Sequence, residues 1–238
     1  MRFPKKLSLV IPIYNEEKRL VKALQICRDY QKQYPDWQFV FVDDGSTDKS
    51  REIIEEAKFK VFSYPENQGK GYALKRGIKQ VTKPLILITD IDFSTPLTEL
   101  PKLFDEIETG YEMVIGSRKI KGSIVTKHQP RIREWLGARF TNLSNLWLGL
   151  SVTDFTCGFK LFKTPTAKLI FKKQRIKRWG YDAEILFIAD KLKTRLKEVP
   201  VVWENDELTR VSLGKDILRS LLDLALIRFN ELTGKYRR

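Results

Sequence analysis

Three observations predict an α/β fold built on a mainly parallel sheet. Apolar runs of strand length alternate with segments of helical spacing through the first half of the chain. The runs are continuously apolar, as in strands covered on both faces. Five successive runs end in polar or glycine-rich clusters, and sheets of this kind bind ligands beyond the C-terminal ends of their strands.

Taken in order, residues 7–13 (LSLVIPI) read as a buried strand. Residues 16–34 place Leu20, Ala23, Leu24 and Cys27 at helical spacing. Residues 39–42 (FVFV) are a second strand, and 46–57 open on a Ser-Thr-Asp cap cluster before running helical. A short strand at 60–63 precedes a helix at 69–81. Residues 85–89 (LILIT) are a fourth strand, 99–108 a helix and 112–116 a fifth strand.

Beyond 118, charge replaces pattern. Residues 118–139 hold seven Lys or Arg against one acid, and 160–178 hold eight against none. The stretch 215–232 reads as an amphipathic helix. Ile217, Leu218, Leu221, Leu222, Leu224, Ala225, Phe229 and Leu232 lie on one face, with Asp216, Arg219, Ser220, Asp223 and Glu231 opposite. The chain is expected to divide into a domain over 1–210 and a C-terminal helical extension over 211–238, which contacts a membrane surface or a second copy.

With 238 residues, 42% of them hydrophobic, the chain can build one sizeable core. A net charge of +14 predicts an anionic partner: nucleic acid, an acidic bilayer or phosphate-bearing substrates. Nucleic acid is set aside, because no reading motif is present and the basic residues do not interleave with strand aromatics. Cys27 and Cys157 make neither a disulfide framework nor a zinc site and read as reduced thiols of a cytosolic protein. No signal peptide is apparent, and no apolar stretch approaches the ~20 residues needed to span a bilayer.

The strand-end clusters suggest chemistry. Asp90 and Asp92 stand two apart after the fourth strand, and Mg²⁺ typically takes one or two carboxylates plus substrate phosphates. Asp43 and Asp44 follow the second strand. One suits a base or ribose, with Asp44 the expected ligand, and the other suits a helix cap. In Asn67-Gln-Gly69-Lys70-Gly71 the spacing is not that of a P-loop, yet the glycines permit close backbone approach and Lys70 suits a phosphate. Arg118, Arg131 and Arg133 are candidates for an anionic group, since guanidinium matches phosphate in a bidentate way. His128, the sole histidine, has no partner identifiable from the sequence, so triad chemistry is not expected.

These residues resemble family 2 glycosyltransferases. The resemblance rests on Pro12-x-Tyr14-Asn15-Glu16, Val42-Asp43-Asp44-Gly45-Ser46-x-Asp48, Asn67-x-Gly69-Lys70-Gly71, Asp90-x-Asp92 and Gly116-Ser117-Arg118. Two later segments, Asp154-Phe-Thr-Cys157-Gly158-Phe-Lys160 and Arg178-Trp179-Gly-Tyr-Asp182-Ala-Glu184, are similar to the polyprenyl-phosphate sugar synthases. They are most similar to dolichyl-phosphate β-glucosyltransferases, with the mannose synthases next. The resemblance covers about 6–205. It implies a GT-A fold, inverting transfer of a hexose and a Mg²⁺ or Mn²⁺ cofactor. Pro12, Tyr14, Glu16, Asp43, Asp44, Lys70 and Asp90 would then line the nucleotide sugar, and Asp90 and Asp92 the metal. Arg118, with Arg131 or Arg133, would hold the acceptor phosphate, which makes Asp92 and these arginines the catalytic set. The chain departs from the pattern in two places. The glucosyltransferase branch usually carries an N-terminal membrane helix, and Ser94 stands where some mannose synthases have a third metal ligand.

The expected reaction moves glucose from UDP-glucose to a polyprenyl or dolichyl phosphate at the cytoplasmic face of a membrane, with the enzyme bound peripherally. GDP-mannose as donor, or a saccharide hydroxyl as acceptor, is the alternative. A phosphate monoester has a second pKa near ~6 and needs no base at pH 7. A hydroxyl acceptor does, and Asp154, Asp182 or Glu184 is the expected group, with a raised pKa. The stretch 160–178 and the C-terminal helix would supply charge and apolar contact to the bilayer. The alternative is that its apolar face packs on the domain or, in a homo-oligomer, on a second copy.

Overall fold

The computed structural model describes residues 2–206 and 213–237, with side chains of the last segment from 219 onward. The expected boundary between 210 and 211, and the side chains of Asp216, Ile217 and Leu218, lie outside the described residues.

The predicted strands form. β1 (Ser8–Ile13), β2 (Gln38–Asp43), β3 (Val61–Ser63), β4 (Leu85–Ile88) and β5 (Met113–Ser117) fall within a residue of the expected runs. They belong to a seven-stranded sheet of order β3-β2-β1-β4-β7-β5-β8, where β7 is Lys160–Lys163 and β8 is Leu196–Pro200. β7 runs antiparallel to β4 and β5, and the other pairs are parallel. The mainly parallel α/β fold expected from the sequence is the one observed. A small second sheet pairs β6 (Ile124–Lys127) with β9 (Val202–Glu204).

The continuous apolar runs have a simple cause: both faces of the large sheet are covered. Leu9, Ile11, Phe39 and Phe41 face one core with α1 (Glu17–Gln33), α2 (Ser50–Glu56) and α4 (Leu100–Glu108). Val10, Val40, Val42, Ile86 and Ile88 face a second core. It is covered by α3 (Lys70–Ile78), α6 (Thr164–Lys173), α7 (Tyr181–Lys191) and the inner stripe of the last helix, α8 (Leu213–Leu232). α5 (Arg131–Leu148) packs on α8 at the edge: Trp147 Nε1 donates to Leu224 O at 3.1 Å, and Arg228 Nε donates to Trp147 O at 2.7 Å.

One expectation is corrected. The helix read over 46–57 begins only at Ser50. The Ser46–Lys49 segment is instead drawn onto the end of β1, with Asn15 Oδ1 accepting from Thr47 N and Asp48 N and Asn15 N donating to Ser46 Oγ. The basic stretch 160–178 is solvated only in part. It opens with a buried strand and a buried Lys160, then forms α6, whose Ala167, Ile170 and Phe171 are buried.

Candidate active site

β2, β1 and β4 are neighbours, so the clusters at their C-terminal ends converge. Tyr14 is partly exposed past β1, after Pro12. Glu16 pairs with Arg19 at 2.7 Å, and Arg19 pairs with Asp206 at 2.8 Å.

The two acids after β2 are both buried, and they divide their work differently from the expectation. Asp43 Oδ1 accepts from Ser46 N at 3.0 Å, closing the turn. Asp44, expected to meet the nucleotide, has both oxygens committed to the glycine loop. Oδ1 takes Tyr64 OH at 2.7 Å and Gln68 N at 2.8 Å, while Oδ2 takes Asn67 Nδ2 and Gly69 N, each at 2.8 Å. Asp44 therefore shapes the loop that presents Lys70. Gly69 has φ 108° there, and a Cβ would meet Lys177 O at 2.6 Å.

Lys70 opens α3 and sets its ammonium 2.6 Å from Asp90 Oδ1, beneath the rings of Trp179 and Tyr181 at 5.6 and 5.9 Å. Burial works against the charge, but Asp90 and Asp182 outweigh it and raise the Lys70 pKa. Asp92 is raised by burial and by the charge of Asp90. Two carboxylates that repel each other, one already drawing in an ammonium, are what a hard divalent cation relieves. Among the described residues no group of three His, Cys, Asp or Glu is assembled for a metal. Ser94 meets Asp92 through its backbone, Ser94 N donating to Oδ1 at 2.9 Å. The donor set thus fits Mg²⁺ or Mn²⁺ completed by phosphate oxygens, rather than an all-protein cage.

The segment leading into β7 ties this pair to the end of β5. Gly158 lies against Asp90 so closely that a Cβ would sit 2.3 Å from Oδ2. Asp154, fully buried, grips Arg118: Nε donates to Oδ2 and Nη2 to Oδ1, both at 2.7 Å, and the Arg118 backbone N donates to Oδ2 at 3.1 Å. Nη2 also reaches Thr156 Oγ1 at 2.8 Å, and the guanidinium lies 5.0 Å from the Trp203 ring centre. Burial alone would raise the Asp154 pKa, but the Arg118 charge and hydrogen bonds bring it down to about 2. Glu198 supports the segment from below, accepting from Thr153 N, Thr153 Oγ1 and Asp154 N.

Arg118 thus stands at the site in a fixed orientation, with Nη1 outside these bonds. Arg131 and Arg133 occupy the first turn of α5, beyond β6, where Arg131 is exposed and makes no side-chain hydrogen bond or ion pair among the described residues. His128 is exposed and pairs with Glu134 at 2.9 Å.

Three acids named as a base for a hydroxyl acceptor are all engaged. Asp154 holds Arg118. Asp182 pairs at 2.5 Å with Lys160, whose ammonium also donates to Phe155 O and Cys157 O. Glu184, buried, accepts from Tyr236 OH, Arg175 N and Ile176 N. Its pKa is raised by burial, against these hydrogen bonds. Sequence reasoning missed Gly158 and Trp203 as parts of the site. Their roles come from approaches between distant segments, which no local pattern announces.

The family model for glycosyl transferase family 2 matches residues 8–171, from β1 into α6. The chain belongs to glycosyl transferase family 2. Among curated relatives, a dolichyl-phosphate beta-glucosyltransferase of Trichomonas vaginalis is 33% identical, over 97% of this chain and 75% of the relative. The Homo sapiens dolichyl-phosphate beta-glucosyltransferase is 31% identical, over 98% and 78%. Among solved structures, glucosyl-3-phosphoglycerate synthase of Mycobacterium tuberculosis bound to UDP superposes with a TM-score of 0.69 at 19% identity, over 93% of this chain and 79% of that one. The same synthase bound to Mn²⁺, UDP and glucosyl-3-phosphoglycerate gives 0.67 at 16%. The GT-A architecture implied by the motifs is therefore present, and the chain is a family 2 hexosyltransferase.

Proposed function

We propose that this family 2 glycosyltransferase moves glucose from UDP-glucose to a polyprenyl phosphate of the dolichyl type, bound peripherally at the cytoplasmic face of a membrane. The names of its relatives support the glucose and the lipid phosphate. The observation that carries the reading is the engagement of Asp154, Asp182 and Glu184. A hydroxyl acceptor needs a base, and the acids named for that role are ion-paired or packed into the fold. A phosphate monoester, already ionised near neutrality, attacks the sugar carbon without one.

Asp90 and Asp92 would hold the divalent cation, which would supply Lewis-acid stabilisation of the departing diphosphate. Lys70 lies beside Asp90, placed to meet the same phosphates. Asp43, with one oxygen in the turn, is better placed than Asp44 to meet the nucleoside. Asp154 orients Arg118 so that its remaining Nη1 faces an anionic acceptor group.

Membrane attachment is supported by α5 and α8. Leu222, Phe229 and Leu232 of α8 are 62%, 56% and 80% exposed, and Trp135 and Leu146 of α5 are 54% and 83% exposed. Lys235 lies 5.4 Å from the Phe229 ring, at the rim of a basic cleft that also includes Lys172, Lys173, Arg175 and Arg237. Apolar side chains beside a cluster of cations suit an anionic bilayer better than a second copy of this chain, itself strongly basic. Among the described residues no helix is long and apolar enough to cross a membrane. Both cysteines are unpaired and buried, in keeping with a reducing compartment.

The test is transfer from radiolabelled UDP-glucose or GDP-mannose, with Mn²⁺ and a short polyprenyl phosphate, followed into an organic-soluble product. Label from UDP-glucose is the expected result. Label from GDP-mannose alone overturns the sugar. Transfer only to a saccharide hydroxyl overturns the acceptor.

A further inference from the structure

The segment between α6 and α7, residues 174–180, lies directly over the glycine loop that presents Lys70. Lys177 O accepts from Tyr72 N at 2.9 Å, Lys177 Nζ donates to Gln68 Oε1 at 2.9 Å, and Arg178 Nη1 donates to Asn67 Oδ1 at 3.2 Å. Gly71 is packed so tightly beneath it that a Cβ would lie 2.6 Å from Ile176 O. Trp179 of the same segment covers the Lys70 ammonium. The position of 174–180 therefore fixes the roof of the site.

That segment is itself held from the C-terminal end of the chain, at two points. At its start, Tyr236 OH donates to Glu184 Oε1 at 2.5 Å, and Glu184 receives Arg175 N at 2.9 Å and Ile176 N at 2.7 Å. Lys173 Nζ donates to Arg237 O at 2.7 Å beside it. At its end, Asp223 of α8 accepts from Gly180 N at 3.2 Å, and a Cβ on Gly180 would come within 2.4 Å of the Asp223 side chain. Glu184 is 0% exposed and Tyr236 6% exposed, so this is a built contact and not a surface encounter.

We infer that the C-terminal segment is a working part of the donor site. Tyr236, through Glu184, and Asp223, through Gly180, are positioning residues that hold 174–180 over the glycine loop and Lys70. The extension then does more than contact a membrane: its inner face sets the nucleotide-sugar pocket while its outer face stays exposed. This role rests on the reading of Lys70 and Asp90 as the residues that meet the donor diphosphate.

The experiment uses the full chain with UDP and Mn²⁺ in titration calorimetry, comparing Tyr236→Phe, Asp223→Ala and Lys70→Ala with the parent. Tyr236→Phe loses the hydroxyl bond to buried Glu184 and Asp223→Ala loses the half-buried acceptor of Gly180 N, and each is expected to weaken UDP binding about tenfold. The KM for polyprenyl phosphate is expected to stay unchanged. Tryptic cleavage after Lys177 and Arg178 is expected to accelerate, with cleavage elsewhere as in the parent. Tyr236→Phe keeps the ring against Phe187 and removes only the hydroxyl, so the folded chain is tested. UDP affinity within about twofold of the parent in both variants, with Lys70→Ala weakened, overturns the positioning role alone. Parent-like affinity in Lys70→Ala overturns the donor-site reading beneath it. Cleavage accelerated uniformly along the chain also overturns the role, since it marks general loosening rather than release of the roof.

Discussion

Replacing Asp154 with Asn tests whether one buried carboxylate organises the acceptor side of the site. Asp154 is fully buried and bonded to Arg118 through both oxygens. Its carboxyl falls from the ordinary 3.8 to about 2, chiefly because the Arg118 charge overcomes the effect of burial. At 1.36 kcal/mol per unit of pKa, that fall corresponds to about 2 kcal/mol of stability from this group. The folded-state pKa is depressed, so the stabilisation is fully present above about pH 4 to 5 and lost as the pH falls through 2. The assay is urea denaturation from pH 7 to pH 2 on parent and Asp154→Asn. At pH 7 the variant leaves the half-buried Arg118 guanidinium without its counter-charge and is expected to lose about 3 kcal/mol. Between pH 4 and pH 2 the difference between the two curves is expected to narrow by about 2 kcal/mol, because the parent is losing the same charge. A constant difference between the curves down to pH 2 would refute the reasoning, since Asp154 would then not be titrating with the assigned depression.

Three further outcomes follow from the same geometry. Asp92→Ala is expected to lower Mn²⁺-dependent turnover at least about a hundredfold with little change in melting temperature, because it removes the proposed cation ligand and relieves a repulsion; full activity would remove Asp92 from the proposed metal site. Gly158→Ala places a methyl 2.3 Å from Asp90 Oδ2, and Asp90 is held by Lys70, so turnover is expected to fall about a hundredfold; steady-state kinetics with parent-like kcat would show that the segment yields freely. Leu222→Asp with Phe229→Asp is expected to weaken flotation with anionic vesicles about a hundredfold, yet leave transfer to a short soluble polyprenyl phosphate intact; unchanged flotation would place the bilayer contact elsewhere.

The first half of the fold was legible because its strands are covered on both faces. Continuous apolar runs such as LSLVIPI and FVFV leave little room for another reading, and the polar clusters after them fall at the observed strand ends. The half beyond Ser117 was not legible. β7 is only four residues, KLFK, and its first lysine is a fully buried cation neutralised by Asp182 and two carbonyls. A side chain that reads as solvated charge is here part of the core, because its partner lies 22 residues away. Asp44 misled for a related reason. Its type and place suit a nucleotide ligand, but four donors within Tyr64–Gly69 claim both oxygens.

The C-terminal helix shows why a choice between packing and docking was too narrow. Leu224 and Ile227 are 3% and 0% exposed and close the core beneath α7, whereas Leu222, Leu226 and Phe229 face outward from the same turns. A helix with apolar residues on so much of its circumference cannot bury all of them against one neighbour. The inner stripe accounts for the contacts with α7 and α5, and the remainder is surplus to the fold as described. Such a surplus costs solubility and tends to be retained where another surface covers it. On the proposed reading, α8 holds the 174–180 segment over the donor site through Asp223, and its exposed apolar stripe is the face offered to the bilayer that carries the acceptor.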